Sequence, residues 1–297
     1  MIDIRLKVFR SVATNLSFTK ASQELFISQP AISKHIQELE REFSTRLFDR
    51  LGNKIQLTSA GKLLLDHSVR IQKDYQRLDF DMNAMQQQFK GELRIGASTT
   101  ISQYVMPEIL AAFLKAYPQI KVNMLSGNSR DIESALVSNR IDIGMVEGIS
   151  RQPQMKYSPF MRDELVAIVR NVSPLAGRDE ITVDELRTLP IVLRELGSGT
   201  LDVIEKYLHQ HDCNISDLNI SMHFGSTEGI KHFVEHSDSI GIVSVRSVGK
   251  DLLAGIFHLV EINGMKMDRN FMFVEKRGET AGMAAVLKSF ITNGYSQ

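Results

Sequence analysis

The sequence predicts a chain of the α + α/β class: a helix-turn-helix at the N-terminus, a long unbroken helix, and a C-terminal two-thirds in which strands alternate with helices. Three observations carry this expectation. Two short amphipathic segments within residues 17–40 are separated only by Phe26-Ile27-Ser28. Residues 59–89 contain no proline and a single glycine, Gly61, while apolar side chains recur every seven residues. Beyond Gly91, short β-branched runs alternate with stretches of helical periodicity.

Composition bounds the rest. A single core usually stops growing near the 297 residues of this chain, so two or three compact units are expected. Apolar residues at 43% and charged residues at 24% match an ordinary globular protein and exclude disordered, collagen-like and disulfide-scaffold classes. No apolar run reaches the ~18 residues of a membrane span, and residues 1–15 are charged throughout without the apolar stretch of a secretory signal. A cytoplasmic location with no membrane partner is therefore expected. Cys213 stands alone, which excludes an internal disulfide or a Cys-based zinc site. The 35 basic and 35 acidic residues cancel, but residues 1–90 hold 14 Lys/Arg against 10 Asp/Glu and the remainder 21 against 25. A basic head on an acidic body points to a nucleic-acid module attached to something else.

The elements follow in order. Residues 3–14 place Leu6, Phe9, Val12 and Ala13 at helical spacing, with Asn15 as a stop. Ser17 or Thr19 caps a second, short helix ending at Leu25. Ser28 caps a third, with Pro30 in its first turn where the missing N–H costs little. Ile32, Ile36 and Leu39 line one face of it, while Gln29, Ser33, Lys34 and Gln37 lie mainly off that stripe. A second helix so rich in hydrogen-bonding side chains fits a major groove of double-stranded DNA. Gln29 suits adenine, Lys34 guanine or phosphate, and Ser28 with the helix start phosphate; a helical hairpin with a solvated polar face is the plain alternative. Residues 48–58 read as two short strands around Leu51-Gly52-Asn53, a wing that positions Arg50 and Lys54 for phosphates or the minor groove.

The run from Phe18-Thr19-Lys20-Ala21 through Ser28-Gln29-Pro30-Ala31-Ile32-Ser33, Leu39-Glu40, Leu47-Phe48-Asp49-Arg50 and Leu57-Thr58-Ser59-Ala60-Gly61 resembles the LysR-type transcriptional regulators. The resemblance implies a winged helix-turn-helix reader that dimerises and assembles to a homotetramer, with RNA polymerase as a partner.

Leu64, Ile71, Leu78 and Met85 recur every seven residues, and Ser68, Tyr75, Met82 and Phe89 form the companion series. Alternating spacings of four and three make the seam of a two-stranded coiled coil, so Leu64, Ile71, Tyr75, Leu78, Met82 and Met85 are the expected dimer contacts; a helix packed on its own domain is the alternative. Two heads on one coiled coil read two half-sites, so an approximately palindromic operator is expected.

Past Gly91, strands are expected at 92–97, 120–125, 141–146, 165–169, 191–193, 219–224, 240–243 and 270–275, and helices at 101–117, 130–138, 201–211, 227–236 and 281–293. For this part the family resemblance implies two Rossmann-like lobes of the periplasmic-binding-protein type. The expected division is a winged helix-turn-helix at 1–58, a dimerisation helix at 59–90 and an effector domain at 91–297, with lobe one at 91–161 and 268–297 and lobe two at 162–267. A small-molecule effector would lie between the lobes at the C-terminal ends of strands. Four strand-to-helix turns are candidates: Ser98-Thr99-Thr100, Gly127-Asn128-Ser129, Gly197-Ser198-Gly199-Thr200 and Gly225-Ser226-Thr227. Hydroxyls and N–H groups at helix starts suit an anion or carboxylate, although Ser and Thr cap helices routinely. The expected effector contacts are Ser98, Thr99, Thr100, Asn128, Glu147, Arg194, Ser198, Thr200 and Thr227. Arg194 supplies a cation or pairs with Glu195, Glu147 or another carboxylate. The stretch Leu193–Thr200, with Glu147-Gly148 and Gly225-Ser226-Thr227-Glu228, is similar to a LysR subgroup of sulfur and carbon assimilation, which implies a small anion. Leu196 and Leu201 depart from the subgroup at positions where proline and a basic residue are common.

Other functions find less support. There is no Gly-x-Ser-x-Gly elbow, His-Glu-x-x-His helix or P-loop. His209 and His211 do not converge on one metal, and solvated helix faces account for Glu24, Glu38 and Glu40. No catalytic residue, metal ligand or cofactor is expected. A redox-responsive regulator acting through Cys213 and a non-enzymatic solute-binding receptor are the alternatives.

Overall fold

Asp3 opens the first helix, α1 (Ile4–Asn15), by accepting the backbone N–H of Arg5 at 2.9 Å. Ser17 does the same for α2 (Phe18–Leu25) through the Lys20 N–H at 3.2 Å, and Ser28 for α3 (Gln29–Glu42) through the Ala31 N–H at 3.4 Å. Each cap satisfies an N–H that the helix cannot. The tight α2–α3 turn carries Phe26 in the left-handed region, φ 55°. The wing is the antiparallel pair β1 (Phe48–Leu51) and β2 (Lys54–Leu57), in register from Phe48↔Leu57 to Leu51↔Lys54. The long helix α4 (Ser59–Ala84) follows. Val8, Phe9, Val12, Ala21, Ile32, Ile36, Leu39, Leu47 and Phe48 form the core of this part, with Leu64 and Leu65 of α4 half-buried against it. A methyl group on Gly61 would overlap the Leu47 carbonyl oxygen, which is why α4 begins with a glycine in its first turn.

The computed structural model describes residues 3–51, 54–84, 89–278 and 282–295. Its chain falls into two compact units, residues 1–88 and 89–297. Residues 85–88, and with them the expected seam residue Met85, lie outside the described residues.

The second unit begins with β3 (Gly91–Ser98), α5 (Thr99–Tyr104), α6 (Met106–Ala116), β4 (Ile120–Gly127), α7 (Ser129–Val137) and β5 (Ile143–Val146). A long strand β6 (Met155–Arg170) leads to β7 (Glu180–Ile181), α8 (Val183–Thr188), β8 (Ile191–Arg194), α9 (Gly199–His209), β9 (Ile220–Phe224) and α10 (Thr227–Glu235). Then come β10 (Ile240–Ser244), α11 (Val245–Leu253), β11 (Phe257–Ile262), the return strand β12 (Met267–Lys276) and α12 (Met283–Tyr295). The strands lie in the order β4-β3-β5-β12-β6-β10-β8-β9, with β11 on β6 and β7 on β11. Strand β3 is parallel to β4 and β5, and β8 is parallel to β9 and β10. These are two parallel, helix-covered lobes.

The lobes are joined by β6 and β12, an antiparallel pair from Met155↔Lys276 to Leu165↔Met267. Phe160 and Phe271 pack in the lobe-one core with Leu93, Ile95 and Ile143, whereas Leu165 and Met267 pack in the lobe-two core with Ile191, Leu193 and Ile204. The chain therefore changes lobes along these two strands.

Several expectations are corrected. The helix expected over 101–117 is two: Pro107 lacks an N–H and crowds the preceding turn, so α5 stops at Tyr104 and α6 starts at Met106. Strand β6 starts ten residues before the expected 165. Its first half is interrupted by Lys156, Pro159 and Arg162, and a register shift opposite Phe271/Met272 accommodates Pro159. Elements β7, α8, α11 and β11 were not expected at all. Glu24 and Glu40 are more than solvated charges. Glu24 accepts from Ser11 Oγ and Asn15 Nδ2 at 2.8 and 2.6 Å, and Glu40 accepts the Leu47 N–H at 2.8 Å.

Candidate functional site

In the first unit the candidate site is the outer face of α3. At about 100° per residue, Ser33, Gln37, Pro30 and Lys34 share the side away from Ile32, Ile36 and Leu39, whereas Gln29, the first residue of the helix, falls beside the Ile36 direction, about 20° from it. The three apolar residues are buried. Ser28, Gln29, Pro30, Lys34 and Gln37 are exposed and Ser33 is half-buried. The buried stripe therefore fixes the helix with its polar side outward. Ser28 spends its oxygen on the cap, and its hydroxyl hydrogen stays free to donate. Arg50 and Lys54 stand at the ends of the wing strands nearest the turn; their side chains lie outside the described residues.

The expected seam on α4 divides in two. Leu64 is half-buried against the core of its own unit, and Ser68 is buried with its hydroxyl donating to the Leu65 carbonyl at 2.8 Å. Ile71, Tyr75, Leu78 and Met82 are 46, 37, 56 and 55% exposed at spacings of four, three and four.

In the second unit, the helix starts of the two lobes converge. The Arg130 N–H donates to the Gly197 carbonyl at 3.2 Å, and Ser150 Oγ to Asp202 Oδ2 at 3.0 Å, each joining lobe one to lobe two. Gly199 sits so close to the Glu147 carbonyl that a Cβ there would overlap it. Ser98, Thr99, Thr100, Glu147, Arg194, Ser198, Thr200 and Thr227 are all buried at this junction or at the strand ends beside it. Asn128 is half-buried and works as a cap: its Oδ1 accepts the Asp131 N–H at 3.0 Å while Asp131 returns the bond. Ser198 caps α9, accepting the Thr200 N–H at 3.2 Å.

Two expected ligand groups are already engaged. Ser98 Oγ and Thr100 Oγ1 both donate to the Glu147 carboxylate, which is 2% exposed. The hydroxyl cradle after β3 is thus occupied by a carboxyl group of the protein itself. Arg194, 1% exposed, pairs with Glu195 at 2.9 Å and donates to the carbonyls of Phe224 and Gly225 through Nε and Nη2, while its Nη1 is buried without a partner among the described residues. It is a strut between β8 and the turn before α10. Of the openings left by the sequence, the pairing with Glu195 is the one realised.

Residues missed from the sequence complete the junction. Tyr104 of lobe one donates to Glu228 of lobe two, and Glu228 also pairs with Lys231 at 2.8 Å. Lys231 further pairs with Asp251 at 2.8 Å and donates to the Ser247 carbonyl. Burial pushes the Glu228 carboxyl up, but bonds from Lys231 and Tyr104 outweigh it and hold the group below the ordinary glutamate range. Burial likewise pulls Lys231 down, and Asp251 and Glu228 more than reverse that. Both are therefore charged at neutral pH. A depressed carboxyl contributes stability above its unfolded pKa and loses it as pH falls through the folded one. Tyr104→Phe is expected to cost the effector unit about 1 kcal/mol at pH 7, with the difference shrinking as Glu228 protonates in acid. Melting curves of both proteins from pH 7 down to pH 3 check this; a difference that stays constant with pH would count against the bond.

The other missed pair is Asp163 with Arg269, 2.7 Å apart and sealed from solvent where β6 and β12 cross. Sequence gave no signal for it, since the partners are 106 positions apart. His209 and His211 do not converge. His209 faces Glu205 at 3.8 Å, and His211 Nδ1 lies 3.0 Å from the Tyr207 carbonyl. No group of three or more metal-ligating side chains occurs among the described residues. Cys213 is 0% exposed within the lobe-two core, out of reach of an oxidant in solution.

Known proteins share both units. The family model described as LysR substrate binding domain matches residues 86–292, and that of the bacterial regulatory helix-turn-helix proteins of the lysR family matches residues 4–62. The HTH-type transcriptional regulator CysL of Bacillus subtilis is 31% identical over 269 residues, 91% of this chain and 89% of the relative. Among solved structures, the regulatory domain of Synechocystis CcmR in complex with 2-PG aligns with a TM-score of 0.63 at 24% identity, over 69% of this chain and 97% of that one. Full-length CbnR complexed with its target DNA aligns with a TM-score of 0.65 at 19% identity, over 99% of each chain.

Proposed function

The chain belongs to the LysR family of helix-turn-helix transcriptional regulators, and from that premise we propose that it reads an approximately palindromic promoter site through α3 under control of a small oxyanion effector held between its lobes. Residues 1–58 read the DNA, 59–90 pair two subunits, and 91–297 sense the effector. The observation that carries the reading is the contact of the two lobes at their helix starts, with the Arg130 N–H on the Gly197 carbonyl, Asn128 beside Gly197, and the Glu147 carbonyl against Gly199. A ligand shifts the balance between two shapes of such a junction by its differential affinity for them, typically ~1–3 kcal/mol. CcmR, similar in fold, was solved with 2-PG, which favours an anionic effector here. Homodimers pairing into a homotetramer place four heads on one promoter, and a changed lobe angle alters their spacing and the access of RNA polymerase. This work is done in the cytoplasm and includes no catalytic step, in keeping with a family of regulators rather than enzymes.

On DNA, Ser28, Gln29, Pro30, Ser33, Lys34 and Gln37 face the groove, and Arg50 and Lys54 of the wing take phosphates. Lys34→Ala is expected to weaken operator binding about 10-fold or more. If Lys34 meets a phosphate, the slope of log affinity against log salt falls by about one; if a guanine, discrimination at that base is lost. Fluorescence anisotropy across a salt series separates the two. Unchanged affinity for every sequence would remove α3 from the interface.

The effector reading is tested by thermal shift of the full chain with sulfite, sulfate, phosphate and carboxylic acids of two to six carbons. Stabilisation should grow with concentration and fall in Ser198→Ala, while operator affinity stays within about 3-fold. Full stabilisation in that variant moves the site away from the cleft.

A further inference from the structure

The effector reading of the cleft leaves open which group holds the ligand's charge and how the lobe crossing feels it. The two crossover strands share one polar rung. Asp163 on β6 and Arg269 on β12 are directly opposed in the antiparallel register. They stand between Phe160 and Phe271, which belong to the lobe-one core, and Leu165 and Met267, which belong to lobe two. Their side chains are 0 and 2% exposed. Asp163 is fully supplied: Oδ2 accepts from Arg269 Nε at 2.7 Å, Oδ1 from Ser244 Oγ at 2.7 Å, and the half-exposed Arg246 stands 3.7 Å from Oδ1 as a second cation.

Arg269 is not. Its Nη1 donates to Thr200 Oγ1 at 2.9 Å, and its Nη2 is buried with no acceptor among the described residues. A guanidinium carries five N–H donors, all meant for acceptors, and a buried charged donor left unmet is costly. Thr200 is the second residue of α9, an 11-residue helix, so the guanidinium that carries the unmet Nη2 is held by Nη1 at a helix start that itself favours negative charge. The rival cradle at Ser98 and Thr100 is filled by Glu147. Two of the expected effector contacts also carry a buried group unpartnered among the described residues, Thr99 Oγ1 of lobe one and Nη1 of Arg194, whose other nitrogens are bonded to Glu195 and to the carbonyls of Phe224 and Gly225.

We propose that Arg269 is the cation that holds the effector's oxyanion group, and that effector and Asp163 share its guanidinium. The inference rests on the cleft reading above. The ligand class is a small molecule with a carboxylate, phosphoryl or sulfur-oxyanion group, docked at the start of α9 with Nη2 as its charged donor. Because the shared guanidinium stands on the rung where both strands change lobes, occupancy redistributes charge at the hinge itself.

The test uses the full chain with inorganic phosphate, sulfite and glycolate as separate probes, followed by calorimetric titration. Asp163→Asn removes the competing charge while keeping the rung's shape, and is expected to tighten oxyanion binding by about 10-fold. Arg269→Gln is expected to weaken it by about 10-fold or more. The double variant Asp163→Asn/Arg269→Gln leaves no lone buried charge, keeps the test readable should the Arg269 single variant fail to fold, and should also bind weakly. Opposite signs for the two single variants support the proposal, since a merely structural ion pair would lower affinity on removal of either partner. Loss in both, or wild-type affinity in the double variant, overturns it. If the double variant binds like wild type while Ser198→Ala does not bind, the cleft reading stands and only the role of Arg269 fails. Should none of the three probes bind the wild type while a neutral effector does, the oxyanion class fails and the cleft survives. The probe that binds most tightly distinguishes phosphoryl, sulfur and carboxylate chemistry.

Discussion

Ile71→Asp combined with Leu78→Asp is expected to leave the protein monomeric and to weaken operator binding by about 100-fold or more. Helix α4 presents Ile71, Tyr75, Leu78 and Met82 at 46, 37, 56 and 55% exposure, in the four-three-four rhythm of a two-stranded seam. A fully buried aliphatic side chain contributes roughly 1.5–3 kcal/mol, and the double substitution removes four of them per dimer while placing four carboxylates in the seam. Two linked heads gain affinity because the second binds at high effective concentration, a gain of about 10²–10⁴ that vanishes when the helices part. The contrast with Leu64 makes the test specific. That residue leans on the core of its own unit, so Leu64→Asp should lower the melting temperature of the head rather than split a dimer. Sedimentation and operator titration read both effects. A double variant that stays dimeric, or a monomer that binds as well as the parent, would remove the seam from this stretch of α4.

The difference between those two leucines shows where sequence reasoning stops. Periodicity places Leu64 and Leu78 on the same stripe, and only the packed structure shows that the first is taken by Val8, Phe9 and their neighbours. Local signals were legible: Ser17, Ser28 and Asn128 cap the helices they precede, because a cap bond spans only two or three residues. Non-local ones were not. The Asp163–Arg269 rung joins residues 106 apart, and Tyr104 and Glu228 are 124 apart. Glu147 marks the limit most clearly. The sequence singles it out together with Ser98 and Thr100, yet cannot say that its own carboxyl group is what those hydroxyls hold. Strand β6 was half invisible for a related reason. Its first half mixes charges and Pro159 with apolar residues, and it is a strand only because β12 pairs with it.

Gly199→Ala is expected to weaken effector binding by about 100-fold while leaving operator binding within about 3-fold of the parent. Gly199 is the first residue of α9 in lobe two. A methyl group on it would overlap the carbonyl of Glu147 in lobe one and lie 2.7 Å from Ser129 Oγ, whose hydroxyl donates to that same carbonyl at 2.7 Å. Facing it, Gly148 holds φ at 112°, and a methyl there would lie 2.8 Å from the Gly199 Cα. The lobes thus meet backbone to backbone, glycine against glycine. A carbonyl in the turn after β5 has no rotamer by which to yield, so the added methyl is relieved only by separating α9 from that turn. Overpacking of this kind costs about 1–3 kcal/mol, and at the upper end the closed arrangement becomes about 150-fold scarcer. A ligand that needs closure pays that factor in apparent affinity, and the second unit should then melt about 6–12 °C lower. The DNA-reading face is untouched, since Gly199 and α3 belong to different units. Calorimetric titration of the effector, a melting curve and operator anisotropy on one preparation read all three quantities. Parental effector affinity with an unchanged melting temperature would mean that the lobes tolerate a methyl at their contact, and that closure at Gly199 is not what the effector stabilises.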